Sequence, residues 1–337
     1  MVVEQLAIRR ATLTAEDYLT IADIHHLSGD PSPPEKLLAF DRAFERSGAH
    51  SWRYLAQDQR ATTLGVGHCY PVTWLRAPGS YWVDLLVRHG HERRRIGATL
   101  LQQIEADLAI LGGDEIWMAV PEEEDELLAT LKRHGFCEQF RSSPLRLDLH
   151  NASVRNLAVR LERLAAHGLR ICTLATCQQE YPRCLEQIHA LHTTLSREVP
   201  IPPEMFATSR EFAAFAVEAA EAVADAFFIV HDGTQFVGLS FMRRRASTPR
   251  TLYQELTGIL PAYRGMGLAQ AFKELTIDYG LRHGYESIET WVEDNNPAML
   301  TINLNYGFVR EPGVVVVTRP IAPAVALTPS NQLVIAR

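Results

Sequence analysis

In "TGILPAYRGMGLAQAF" (Thr257–Phe272) an apolar, strand-like segment runs through Pro261 into Arg-Gly-Met-Gly and straight on into a helix-like run. Glycine admits positive φ and carries no side chain, so amide N–H groups can approach a ligand closely. The first N–H groups of a helix lack internal partners and carry the positive end of its dipole. Arg264, Gly265, Met266, Gly267, Leu268 and Ala269 therefore make a candidate anion site, with pyrophosphate as the natural guest and Arg264 adding charge. The alternative is a tight turn without a ligand. The spacing is neither the G-x-G-x-x-G of dinucleotide folds nor the P-loop pattern.

Other chemistry-bearing residues have plainer readings. Glu293 and Asp294 in "ETWVEDNNP" could meet a cationic substrate or form a solvated loop, and Trp291 beside them reads as core. His283 suits a helix C-terminus. "MRRRAS" (Met242–Ser247) reads as a charged hairpin turn that could also grip a phosphate. His25 and His26 are neighbours, about 100° apart on a helix, which is poor spacing for a shared metal.

The elements that position these residues occur twice. Laying "VDLLVRHGHERRRIGATLL" on "ELTGILPAYRGMGLAQAF" puts Arg264 over Glu92 (264 − 92 = 172), and Gly307-Phe308 falls over Gly135-Phe136 at the same offset (307 − 135 = 172). Each copy reads as helices, a three-strand meander, helix, strand, helix and strand. That order predicts an α+β class: two tandem domains, each a mixed, mostly antiparallel twisted sheet covered by helices. The expected division is a domain at 1–150, a connector at 151–168 and a second domain at 169–337. The connector "NASVRNLAVRLERLAAHG" reads as a helix capped by Asn151 or Ser153 and stopped at Gly168.

Composition sets the outer bounds. The chain has 337 residues, 47% hydrophobic and 22% charged, with a formal net charge of −7. Two sizeable cores fit that length, and the acidic balance argues against nucleic acid as a partner. Five cysteines, none in C-x-x-C spacing, argue against a disulfide framework or zinc cluster and for a reducing cytoplasm. No metal is expected. No signal peptide or membrane-length apolar run is present, so no membrane partner is expected.

Motif and element order together resemble the GNAT superfamily of acetyltransferases. That family's signature, Q/R-x-x-G-x-G/A after the fourth strand, stands unbroken as Arg264-Gly265-Met266-Gly267-Leu268-Ala269. The resemblance covers most of 169–320 and, more weakly, 7–149. It implies acetyl-CoA as cosubstrate, with its pyrophosphate on 264–269 and its pantetheine arm on Thr257, Gly258 and Ile259 where two strands splay apart. It also implies direct attack by an amine of a small molecule or peptide, and it brings in Asn296 and Asn303. Asn303 stands where many members carry a tyrosine acting as general acid. In copy one Glu92 and Arg95 replace the signature's first arginine and first glycine, so that copy reads as degenerate. For a base, Glu255 is the candidate, because strand alternation puts it on one face with Thr257 and Ile259. A strand-end charge paired with an arginine such as Arg243 is the equal alternative. A non-catalytic acyl-CoA-binding or regulatory module is the second functional reading.

Overall fold

The structure is a computed structural model that describes residues 6–27, 32–46, 48–72, 79–91, 95–196, 209–245 and 248–322. Glu92, Arg93, Arg94, Ala246, Ser247 and the tail from 323 lie outside the described residues.

The chain forms two compact units, one of residues 1–118 with 318–337 and one of 119–317. In the first, β1 (Ala7–Arg10) is followed by α1 (Ala15–Leu27) and α2 (Pro34–Arg46). Then come β2 (Trp52–Gln57), β3 (Thr63–Pro71), β4 (Ser80–Val87), α3 (Ile96–Ile110) and β5 (Glu115–Pro121). Strands β1 to β4 form an antiparallel series. Strand β5 lies parallel to β4, but only between Ser80–Trp82 and Glu115–Trp117. Helix α3 buries Ile96, Leu100, Ile104 and Leu108 completely. The spacing of four puts them on one stripe facing the sheet.

The second unit opens on α4 (Asp125–Arg133), β6 (Cys137–Asp148), α5 (Leu157–Ala166) and β7 (Arg170–Thr173). Next are α6 (Leu174–Glu180), α7 (Cys184–Ser196), α8 (Ser209–Ala213), β8 (Ala222–His231), β9 (Phe236–Arg245) and β10 (Thr248–Ile259). The rest is α9 (Leu268–Arg282), β11 (Ser287–Glu293), α10 (Pro297–Asn305), β12 (Val309–Arg310) and β13 (Val314–Pro320). Its strand order is β13-β6-β11-β10-β9-β8-β7, with β10 and β11 parallel. On one face Leu252 and Ile259 cluster with Phe272 and Ile277 of α9; on the other Phe227 and Phe241 cluster with Leu191 of α7 and Phe212 of α8. These are the mixed sheets with helices of an α+β fold, built twice.

The compact units cut the chain elsewhere than at 150 and 169. Strand β6, the last of copy one, pairs with β11 from Ser287↔Asp148 to Glu293↔Ser142 and so belongs with copy two. Conversely, the end of copy two's last strand lies in the first unit, where the Ile321 N–H donates to the Asp114 carbonyl at 2.8 Å. The connector helix also begins later than the capping residues suggested. Asn151 ends a 3-10 turn at Leu149–Asn151, and Asn156 precedes α5 without a side-chain cap bond. Trp291 is 43% exposed, against the expectation of core. Ile288, Thr290 and Val292 take the buried side of β11, so alternation turns Trp291 outward.

Candidate functional site

Strand β10 creates the site by leaving its neighbour. Its pairing with β11 stops at Tyr253↔Glu289, although β10 runs on to Ile259 and β11 to Glu293. Thr290 Oγ1 still reaches the Gln254 carbonyl at 3.2 Å, and beyond it the strands part. On its other side β10 is irregular, with a register shift against β9 between Gln254 and Leu256. An extra residue in one strand resets which side each later residue faces.

That shift corrects the expected shared face of Glu255, Thr257 and Ile259. Gln254, Thr257 and Ile259 face α9: Gln254 bonds Lys273 and Thr257, and Ile259 packs in the cluster with Phe272. Glu255 sits at the irregularity and pairs with Arg243 at 3.6 Å. The Arg243 guanidinium lies 3.8 Å from the centroid of Phe215, which packs on the α7 side. Both sequence readings of Glu255 thus stay in play, because it has its arginine and also a proton affinity. Burial lifts its carboxyl above the ordinary range against the opposing charges of Arg243 and Arg245.

The gap between the strands opens into a cleft of about 1300 Å³. Thr257, Gly258 and Ile259 line it along β10, and residues 264–269 line it at the start of α9. A 3-10 turn, Pro261–Tyr263, carries the chain from strand to helix. Gly265 and Gly267 then take φ of 78° and 88°, a region costly for residues with a Cβ. Gly267 is the N-cap of α9, so the amides of Leu268, Ala269 and Gln270 have no acceptor within the helix. Arg264 turns back, its Nε donating to the Ile259 carbonyl at 3.0 Å, and braces the turn against β10. At Gly258 a Cβ would stand 2.7 Å from Leu195 Cδ1, so glycine lets α7 close on the strand.

Helix α10 supplies another wall. Asn296 lines the cleft and caps the helix, its side chain accepting from the Met299 N–H at 3.1 Å. Ala298, Thr301, Ile302 and Asn305 face the cleft at helical spacing. Asn303 is off that stripe: it is fully buried, does not line the cleft, and both its side-chain polar atoms lack hydrogen-bond partners. Tyr306 is also engaged elsewhere. Its hydroxyl donates to Glu274 Oε1 at 2.7 Å, and burial together with that carboxylate pushes it up to about 12.

Two contributors escaped the sequence reading. Lys273 is 1% exposed; it donates to Gln254 Oε1 and lies 4.4 Å from the Phe308 centroid, and burial alone brings its ammonium down to about 7. Gln254 Nε2 passes the contact to Ser240 and Thr257 at 2.9 and 2.8 Å, so a buried polar chain ends at a cleft hydroxyl. The signal was the position of Lys273 four residues before Ile277 and seven before Gly280, on the inward stripe of α9. The second contributor is α5, whose Asn156, Val159, Arg160 and Arg163 line the cleft beside the glycine turn. Among the described residues no group of His, Cys, Asp and Glu could hold a metal ion, and no helix is long and apolar enough to cross a membrane.

Comparison with known proteins adds a family and a fold. The profile of the Acetyltransferase (GNAT) family matches residues 18–136 and 186–302. No curated protein matches the chain in sequence. Among solved structures, a tandem GNAT protein from the clavulanic acid biosynthesis pathway aligns with a TM-score of 0.65 at 16% identity, over 95% of this chain and 100% of that one. A GCN5-related N-acetyltransferase from Sphaerobacter thermophilus aligns with a TM-score of 0.61 at 13% identity, over 94% and 96%. A glucosamine N-acetyltransferase region of a fungal multi-domain β-N-acetylglucosaminidase gives 0.67 at 12%, over 94% of this chain and 38% of that one.

Proposed function

The chain belongs to the acetyltransferase (GNAT) family, and from that premise we propose that it transfers the acetyl group of acetyl-CoA directly to an amine, in the cytoplasm, using the cleft of copy two. The observation that carries the reading is the glycine turn at Arg264–Ala269. Two glycines at positive φ open helix-start amides onto a cleft that also holds Thr257, Gly258 and Ile259. Pyrophosphate on those amides would leave the pantetheine arm pointing into the gap between β10 and β11, with Asn296 on the opposite wall. The acceptor is an amine of a small molecule or peptide.

In this reaction the amine nitrogen attacks the thioester carbon, a tetrahedral intermediate collapses, and the C–S bond breaks as the thiolate leaves. The protein contributes proximity and the removal of the amine's proton. We assign the second task to Glu255, because burial has raised its proton affinity and it stands at the irregular point of β10, next to Leu256, which lines the cleft. Arg243, at 3.6 Å, opposes that rise with its charge. Asn303 does not serve as an acid, since an amide side chain has no dissociable proton of that kind. Solvent protonates the thiolate.

A calorimetric titration tests the reading. Acetyl-CoA is expected to bind the wild type at one equivalent and the Gly265→Glu/Gly267→Glu variant not at all; no binding by the wild type would defeat the proposal. Burial of Asn303 away from the cleft favours one second reading, an acyl-CoA-binding module without turnover. Tight binding with no acetylation of any amine in a broad panel would decide for that alternative.

A further inference from the structure

We propose that the connector helix α5 is a nucleotide clamp, and that it makes the cleft selective for coenzyme A over analogues lacking the 3′-phosphate on its ribose. The inference rests on the acyl-CoA reading of the cleft and names the part of the ligand that α5 recognises.

Asn156, Val159, Arg160 and Arg163 fall at positions i, i+3, i+4 and i+7, one face of the helix, and all four line the cleft. The composition of that face is unusual. Val159 is 69% exposed, a bare apolar side chain next to Arg160 and one helical turn from Arg163. Nothing in the packing of α5 asks for it, because Leu164 is buried and Leu157 and Leu161 are half-buried, which gives the helix its inner side. An apolar spot flanked by guanidinium groups suits a flat heteroaromatic base attached to phosphates.

The geometry continues the path of the ligand. A Cβ built on Gly267 would lie 3.4 Å from Arg160 Nη1, so this guanidinium borders the turn assigned to pyrophosphate. Arg160 is held there: its Nη2 is 3.4 Å from Glu274 Oε1, while its Nε is buried without a partner. Arg163 is about one helical turn, roughly 5 Å, further along. It is exposed and has no ion-pair partner among the described residues. In coenzyme A the ribose, with its 3′-phosphate and adenine, follows directly on the pyrophosphate. A phosphate monoester there carries close to two charges at neutral pH. Arg160 therefore stands at the pyrophosphate, Arg163 meets the 3′-phosphate and Val159 meets the adenine face.

The test compares coenzyme A with 3′-dephospho-coenzyme A by calorimetry on the full chain. The wild type is expected to bind coenzyme A about tenfold more tightly. Arg163→Glu should weaken coenzyme A about tenfold or more and change dephospho-coenzyme A less than threefold, while Arg163→Lys should keep most of the preference. Position 163 is exposed, so unchanged circular dichroism is expected for both variants. Equal affinity of the wild type for the two ligands would overturn the clamp and leave the acetyltransferase reading standing. So would an equal loss of both ligands in Arg163→Glu. A wild type that binds neither ligand would overturn both proposals.

Discussion

The two copies place different residues on the same backbone. Gly267 begins α9 at φ 88°, and Arg95 begins α3 at φ 59°, the same left-handed corner. Glycine takes that conformation freely, whereas an L-residue with a Cβ is strained by roughly 1–2 kcal/mol. Helix α3 thus starts from the same backbone corner with a side chain where α9 has none. A second pair of positions differs as much. Gly65 pairs with Ala56 in β2–β3, and Gly238 pairs with Val230 in β8–β9. Counting from those glycines, the pair Arg53–His68 of copy one stands where copy two has Phe227–Phe241.

In copy two the rings stack with centroids 4.9 Å apart. In copy one Arg53 makes two bonds to Asp41 at 2.7 and 3.0 Å, and Tyr18 and Ser51 donate to the same carboxylate at 2.8 and 2.9 Å. His68 Nε2 lies 3.4 Å from Asp41 Oδ1 without the alignment of a hydrogen bond. Burial opposes the Asp41 charge, but His68 and Arg53 outweigh it and hold the carboxyl well below the usual range. The lesson is that a sheet and its covering helices tolerate either an aromatic stack or a satisfied ionic knot at one place.

Four measurements would break or sharpen this contrast. Asp41→Ala strands the buried Arg53 and should destabilise the first unit by about 3–5 kcal/mol in urea unfolding. By contrast, Asp41→Leu with Tyr18→Phe, Arg53→Phe and His68→Phe, which imports the copy-two solution, should come within about 2 kcal/mol of the wild type; a collapse as large as that of Asp41→Ala would end the equivalence. The second is a pH series. Burial holds the native His68 down at about 4. An unfolded histidine titrates near 6.5, so between those values the unfolded chain binds a proton that the native chain refuses. Stability should therefore fall as pH drops from 6.5 towards 4, by up to about 3 kcal/mol from this residue. The four-residue variant should lose that part of the slope. Third, Gly267→Val puts a β-branched residue in the left-handed corner and side-chain atoms on the amides, and acetyl-CoA affinity should drop about a hundredfold or more. Last and smallest, Arg95→Gly should stabilise the first unit by about 1 kcal/mol and leave acetyl-CoA stoichiometry at one.

How much was legible beforehand follows from the range over which each constraint acts. Gly265 and Gly267 could be read because the demand for positive φ is local to the turn. Repeat and element order could be read because each copy keeps the same hydrophobic periods. The facing of Glu255 could not, since one register shift in β10 inverts an alternation that holds on either side of it. Asn303 was placed by counting from Gly307, and counting says nothing about which side of α10 meets the cleft. Arg160 and Arg163 come from a helix about a hundred residues upstream of the turn, and only the fold brings them there. The compact units were hidden for a related reason: when copy one gives its last strand to the second unit and takes in the end of copy two's, the order of elements along the chain does not change.

That trade has a consequence for how the protein is made. The first unit includes Thr318–Pro320, which leave the ribosome about 200 residues after Met118. Strand β6 waits for β11, about 140 residues later. The first half therefore emerges as a sheet with an open edge, the kind of surface that sticks to other chains. The pairing of β6 is completed only once β11 has been made, so copy one's last strand depends on copy two for its neighbour. A copy with a ruined signature turn can persist on that ground alone.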